Sequence, residues 1–98
     1  MGTALNSIIS NGCIISGGSV KRSILSPKVM IHSYVEVEDS ILMEGVDVGR
    51  YAKIRRTIVD KEVQIPQGME IGYDLDEDVK RFTVTASGIV VVPKGMRL

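Results

Sequence analysis

The chain has 98 residues, one domain's worth near the low end of the usual range, with 44% hydrophobic and 24% charged residues as in an ordinary folded protein. Lys+Arg and Asp+Glu stand at 12 each, so the formal net charge is zero, which argues against nucleic acid or an anionic membrane as the main partner. A single cysteine, Cys13, excludes a disulfide framework within one chain, and no apolar run approaches the roughly 20 residues of a membrane helix. With no signal peptide at the start, a cytoplasmic domain is expected.

Trp is absent and aromatics make up 4%, while Ile and Val are abundant and glycine occurs 10 times. Such a composition points to strands and turns rather than helices. The order within it is a repeat of period 17. Ile14, Ile31, Val48 and Ile65 form one series, and Val20, Val37, Ile54 and Ile71 a second, six residues later in each cycle. At the same offset come Ser23, Ser40 and Thr57, then Ile24, Ile41 and Ile58, then Leu25, Leu42 and Val59, and finally Val29, Val46 and Val63. Ser7-Ile8-Ile9 matches Ser23-Ile24-Leu25 at an offset of 16, so the first cycle is one residue shorter.

Aliphatics spaced by six do not fit a helix, whose period is about 3.6, and mark the hexapeptide type of β-helix. The chain makes a short strand, turns a corner and repeats, closing a triangular coil whose aliphatic columns are expected to fill the interior. Successive coils then stack as parallel strands about 4.8 Å apart. The charges test this register independently. Lys21, Glu38 and Arg55 fall in one column, Arg22, Asp39 and Arg56 in another, and Glu36, Lys53 and Glu70 in a third. The sign alternates from coil to coil in each, as favourable cross-strand pairing requires.

The period stops after Ile71-Gly72. The segment Asp74–Phe82 reads as a short helix with Asp74 as N-cap and acidic residues in its first turn. Thr83-Val84-Thr85, a turn at Ala86-Ser87-Gly88, and Ile89–Val92 read as a β-hairpin, ended by Pro93. The fold class is therefore all-β, with coils over 1–72 and a helix-and-hairpin cap over 73–98. The opposite end, at Leu5 to Asn11, has almost nothing before it, which suggests a fragment of a larger protein.

Candidate chemistry is sparse. His32 is the only histidine; it offers a general base for an acyltransferase, but one histidine makes a poor zinc site. Its plainer role is an outward position beside an inward Ile31. Cys13 lacks a nearby base and reads as a small buried hydrophobe. Ser16-Gly17-Gly18-Ser19 lacks the lysine of a phosphate-binding loop, and corner turns needing positive φ explain it better. The basic residues left over by the charge columns are Lys28, Arg50, Lys61, Lys80, Arg81, Lys94 and Arg97.

Several stretches together resemble the C-terminal β-helix of the bacterial glucose-1-phosphate adenylyltransferases (ADP-glucose pyrophosphorylases). They are Asn6–Gly17, Val48–Arg56, Val59-Asp60-Lys61 and Ile65–Met69. The most diagnostic residues are Ile71-Gly72-Tyr73-Asp74, Glu77-Asp78, Arg81-Phe82 and Gly88–Val92, because hexapeptide proteins in general share the coils and not that tail. The resemblance covers about Leu5 to Lys94 and implies a left-handed β-helix that packs on an N-terminal catalytic domain and helps build a homotetramer. It implies that Mg²⁺ and ATP belong to that other domain, leaving no cofactor, metal or catalytic residue in this chain. It also implies sugar-phosphate or AMP-type effectors, with Lys61 and Lys94 at two basic family positions and Arg50 as a further phosphate-binding candidate. A lysine there meets a phosphate as a point charge, without the bidentate geometry of arginine. The alternatives are an acyltransferase of the hexapeptide class, which binds acetyl-CoA and uses His32, and a non-catalytic scaffold subunit.

Overall fold

The computed structural model describes residues 2–96 and 98. In chain order the strands are β1 (Thr3–Leu5), β2 (Ile8–Ile9), β3 (Ile14–Lys21), β4 (Ile24–Leu25), β5 (Met30–Glu38), β6 (Ile41–Leu42), β7 (Asp47–Val48), β8 (Lys53–Arg55), β9 (Thr57–Val59), β10 (Gln64–Ile65) and β11 (Glu70–Ile71). Helix α1 (Leu75–Arg81), β12 (Thr83–Val84) and β13 (Val90–Val92) follow. The coils stack as a parallel solenoid with a triangular cross-section. One face carries β2, β4, β6 and β9; a second carries the first part of β3, the first part of β5, β7 and β10; the third carries β1, the ends of β3 and β5, β8 and β11. Among the described residues no helix is long and apolar enough to cross a membrane.

All but one of the corners turn on one residue in left-handed backbone. Asn6, Arg22, Asp39 and Arg56 have φ of 51°, 48°, 49° and 50° at the corner leading to the first face. Lys28 and Glu62 (φ 63° and 58°), with Gly12, Gly45 and Gly95, turn the next. Tyr34, Tyr51 and Gly68 (φ 64°, 65° and 77°) turn the last, and the first coil, one residue shorter, passes the same corner at Gly17–Ser19 without such a residue. This conformation is uncommon for L-residues, and here the geometry of the corners selects it.

The inward columns are those expected. Val20, Val37, Ile54 and Ile71 are fully buried, as are Leu25, Leu42 and Val59, and Val29, Val46 and Val63 are all but buried. Two expectations need correction. Ile24, Ile41 and Ile58 do not fill the interior; they pair in register on the outer surface of the first face, with Ile24 40% exposed. Their strand neighbours Leu25, Leu42 and Val59 point inward, and the pleat sends adjacent side chains to opposite sides. The column of Ile31, Val48 and Ile65 begins with Ile15 and not Ile14, which pairs with Met30 and is 51% exposed. The short first coil keeps its offset of 16 through Gly17↔Ser33, and only at Ser19↔Glu36 does the register become 17. The residue that β5 gains there is absorbed beside Tyr34.

Ser16-Gly17-Gly18-Ser19 does lie at a corner, where β3 passes from the second face to the third, but the corner is made within continuous strand and its glycines do not have positive φ. Gly18 is required by space, since a Cβ there would lie 2.6 Å from the Val35 carbonyl oxygen. Polar residues zip the corner that leads to the first face. The hydroxyls of Ser23, Ser40 and Thr57 donate to the carbonyls of Lys21, Glu38 and Arg55 at 2.8, 2.7 and 2.8 Å. The Ser7, Ser23 and Ser40 hydroxyls in turn accept the backbone N–H groups of Ser23, Ser40 and Thr57. Each buried hydroxyl is thereby satisfied and ties one coil to the next.

The tail forms the expected helix and hairpin. Asp74 caps α1, accepting the Glu77 N–H at 3.2 Å. β12 and β13 pair antiparallel, and β13 continues the first face in parallel with β9, so the hairpin extends that sheet by its last strands. Asp78 locks helix to coil: it is 1% exposed, and Oδ2 accepts the Gly72 N–H at 2.8 Å. Gly72 itself has φ 89°, and a Cβ would collide with the Arg55 carbonyl.

Core truncation and surface charge reversal should therefore separate cleanly. Ile54→Ala is expected to cost about 2–5 kcal/mol in urea unfolding by opening a cavity, and Glu38→Lys, on the half-exposed charge column, about 1 kcal/mol or less. Equal costs would place the Glu38 column wrongly. Asp78→Ala is expected to cost about 1–3 kcal/mol by orphaning the Gly72 N–H. Hydrogen exchange at that amide should accelerate selectively, and unchanged protection would refute the latch.

Candidate functional site

The fold sorts the polar residues by column. Arg22 Nε donates to Asp39 Oδ1 at 2.7 Å, Arg22 Nη2 lies 3.8 Å from Glu38, and Lys53 lies 3.8 Å from Glu36. The hydrogen bond from Arg22 holds the Asp39 carboxyl below the usual carboxylate range, with the charges of Arg22 and Arg56 acting in the same direction. Arg56 also donates to the Ser87 carbonyl in the cap, and the Arg55 guanidinium lies 4.3 Å from the centre of the Tyr73 ring. Burial, with the Glu38 and Glu36 charges behind it, pushes the Tyr73 hydroxyl above its ordinary value. These cations are committed to holding the coils and cap together. Lys80 and Arg81 are also engaged, with Glu77 and Asp78 at 3.8 and 3.7 Å.

Of the basic residues left over by the columns, Lys28, Arg50, Lys61 and Lys94 make no ion pair within 4.0 Å among the described residues. Arg97 lies outside the described residues. Lys61 and Lys94 come together: β13 pairs with β9 so that Val59 faces Val92, which puts both lysines two residues on, at the same corner of consecutive layers. Both are exposed. Lys28 joins them, lining a cleft of about 250 Å³ with Lys61, Glu44, Gly45 and Glu62. Arg50 is not part of this group; it sits next to Tyr51 at a different corner. Lys28 was among the basic residues left over by the charge columns, and the period of 17 sets it in line with Gly45 and Glu62, one position from the column of Lys61 at the same corner.

His32 lies on the outside of the second face, its Nε2 3.0 Å from Asp47 Oδ1, while Ile31 is buried beneath. Cys13 is half-buried against the core and its thiol donates to the Ser26 carbonyl at 3.1 Å. Among the described residues no three His, Cys, Asp or Glu side chains converge to hold a metal. Tyr34 and Tyr51 were assigned nothing from sequence. Their rings stack with centroids 4.9 Å apart and planes inclined by 12°, and they border a cleft of about 470 Å³. Their spacing of 17 residues was the available signal.

The family model described as "GlmU-like, C-terminal hexapeptide" matches residues 1–92. The chain belongs to this GlmU-like C-terminal hexapeptide family. Among its curated relatives, the glucose-1-phosphate adenylyltransferase of Anaeromyxobacter sp. (strain Fw109-5) is 62% identical over 98 residues, covering 100% of this chain and 24% of the relative. The proteins of the same name from Koribacter versatilis (strain Ellin345) and Rhodopirellula baltica (strain DSM 10527 / NCIMB 13988 / SH1) are 51% and 56% identical, over 98 and 95 residues. They match across 100% and 96% of this chain and 24% and 21% of their own lengths. The chain thus spans about a quarter of the curated relatives it matches. The tail of this hexapeptide domain, with its helix and hairpin, lies within the aligned region, in keeping with the resemblance read from Ile71–Asp74 and Gly88–Val92.

The charge columns give this hexapeptide domain a pH dependence of definite sign. The carboxyl of Asp39 titrates lower in the folded chain than in the unfolded one. Its stabilising contribution is complete above the unfolded value of about 4 and is lost as the pH falls through the folded value. Asp39→Asn should flatten the fall in thermal midpoint on acidification; an equally steep fall in the variant would show that Asp39 is not responsible.

Proposed function

We propose that this chain serves as the regulatory and assembly domain of a glucose-1-phosphate adenylyltransferase, the enzyme that makes ADP-glucose and pyrophosphate from ATP and glucose 1-phosphate. The observation that carries the reading is the match along the whole chain to relatives of that name, over about a quarter of their length. On this reading the Mg²⁺ and ATP chemistry belongs to a catalytic domain elsewhere in the same enzyme, and this chain alone has no nucleotidyl transfer activity. The enzyme acts in the cytoplasm, in glycogen synthesis, as a homotetramer to which this domain contributes contacts.

The corner bearing Lys61 and Lys94, with Lys28 beside it, supplies part of an effector site for a sugar phosphate or an AMP-type nucleotide. Three ammonium groups without an ion pair among the described residues are suited to a phosphate, whereas in the charge columns Arg22 and Lys53 face carboxylates and Arg55 and Arg56 are engaged with the cap. Arg50, at another corner, contributes to this site only if the catalytic domain bridges the two. The glutamates Glu44 and Glu62 in the same cleft keep the site selective for a ligand that brings more than one negative charge.

Lys61→Ala and Lys94→Ala, made in the enzyme that carries this domain, should each raise the effector concentration for half-maximal response about ten-fold, the loss of one charged contact. They should change turnover without effector far less. Response curves unaltered in both variants would overturn the assignment. A thermal shift of the domain by acetyl-CoA alone would instead favour acyl transfer at His32.

A further inference from the structure

We propose that the open face of the Tyr34 ring, above Gly17 and Gly18, is a subsite for an uncharged pyranose ring, free or at the end of an oligosaccharide. The rings of Tyr34 and Tyr51 stack with centroids 4.9 Å apart, the spacing of the coils, so the pair repeats one ring per layer and Tyr34 ends the stack on the side of the first coil. Both rings are turned out to solvent, 61% and 53% exposed, in a chain with only 3 tyrosines. Both also stand in left-handed backbone, where the next coil uses Gly68. A bulky ring is the costlier choice at a corner where the next coil has glycine.

The stack stops abruptly on the side of the first coil. That coil is one residue shorter, so it offers no counterpart to Tyr34, and the cleft of about 470 Å³ there has Gly17 and Gly18 in its lining. Gly17 faces outward with room for a Cβ at ordinary contact distance from Ser33. The vacant layer is thus as deep as one more flat ring.

The edge of the vacancy decides what kind of ring. Ser19, Glu36 and Lys53 border it, and Glu36 and Lys53 pair with each other at 3.8 Å. Together they present a hydroxyl, an acceptor and a donor with no net charge, and Glu70 is the next residue of that column. A phosphate finds no free cation here, in contrast to the lysine corner. A ring that is apolar on its face and bears hydroxyls around its rim matches both surfaces. The weakly positive C–H bonds of a pyranose suit the negative face of the tyrosine, and its hydroxyls exchange hydrogen bonds with the rim. A nucleobase would stack as well, but a nucleotide brings phosphates for which the rim offers no cation beyond the Lys53 already paired with Glu36. This subsite stands apart from the effector reading, which concerns another corner.

The test is a titration of the 98-residue chain, followed by amide shifts in ¹H–¹⁵N correlation spectra, with methyl α-D-glucopyranoside, maltoheptaose and adenosine. The glucoside is expected to move Gly17, Gly18, Ser19 and Tyr34 at millimolar concentration. Tighter binding of maltoheptaose assigns the subsite to a polysaccharide end, and equal binding assigns it to free sugar. Tyr34→Gly keeps the backbone conformation that Gly68 shows at the same corner, and should weaken either sugar by about ten-fold or more. Gly17→Leu, which fills the vacancy and leaves the tyrosine in place, should do the same. Absence of shifts with both sugars, shifts by adenosine alone, or sugar binding that survives in both variants would overturn the proposal.

Discussion

The constraint on which everything else rests is that each corner of the prism must turn within about one residue while keeping the next strand in register. One left-handed residue accomplishes this at every corner but the one within β3, and the non-glycine residues there have φ between 48° and 65°. Such turns cost conformational energy in residues other than glycine and asparagine. The cost is met by the interior, where each coil places a Val, Ile or Leu on top of the one before it. Burial of each is worth about 1.5–3 kcal/mol, and a shift of register by one residue would turn every one of them to the outside. Corner geometry and aliphatic column are two expressions of one requirement.

Because the coils repeat, every error would repeat as well, and the polar ladders act against slippage. The hydroxyls of Ser7, Ser23, Ser40 and Thr57 fit only when coils are aligned at their proper offset, since each hydroxyl that bridges two coils both donates within its own and accepts from the next. The alternating charges impose the same alignment from outside. At the far end the hairpin extends one of the three faces, letting β13 pair with β9 and folding β12 back antiparallel beyond it, while β10 and β11 are the last strands of the other two. Asp78 ties the helix to the last coil by taking up the N–H of Gly72, the last residue before the chain leaves the coils.

Much of this was legible in the sequence, because a solenoid writes its contacts as a period. The inward columns through Val20 and Leu25, the charge columns and the helix starting after Asp74 all follow from spacing and end signals. What misled was local. Ile24, Ile41 and Ile58 are as periodic as Leu25, Leu42 and Val59, and periodicity alone does not say which of two adjacent aliphatics faces in. Ile14 and Ile15 pose the same ambiguity, sharpened by a first coil that lacks one residue. Gly17 and Gly18 do stand at a corner, but not for the usual reason of glycine's backbone freedom: Gly18 answers to the closeness of Val35. Of the candidate site, Lys61 and Lys94 were found through resemblance, and their meeting at one corner required the parallel pairing of β13 with β9 across an intervening helix. Arg50 carries the same charge and exposure, yet the triangle places it on a different corner.

The exterior of such a prism obeys looser rules than its interior, and that is where its differences lie. An outward residue is free to vary as long as its corner still turns, so a column on the surface records a demand other than folding. In the charge columns that demand is attraction between layers. At the lysine corner the attraction is missing: Lys61 and Lys94 stand in successive layers with like charges, and among the described residues neither has a carboxylate within 4.0 Å, although Glu44 and Glu62 share the cleft of Lys61. Stacking of like charges opposes folding, if weakly in water, and the two glutamates offset it only in part. The alternation kept up elsewhere along the prism shows that the sequence can avoid such a clash by placing a Glu between two cations. Where it leaves two lysines in successive layers, the demand recorded at that corner is not attraction between coils.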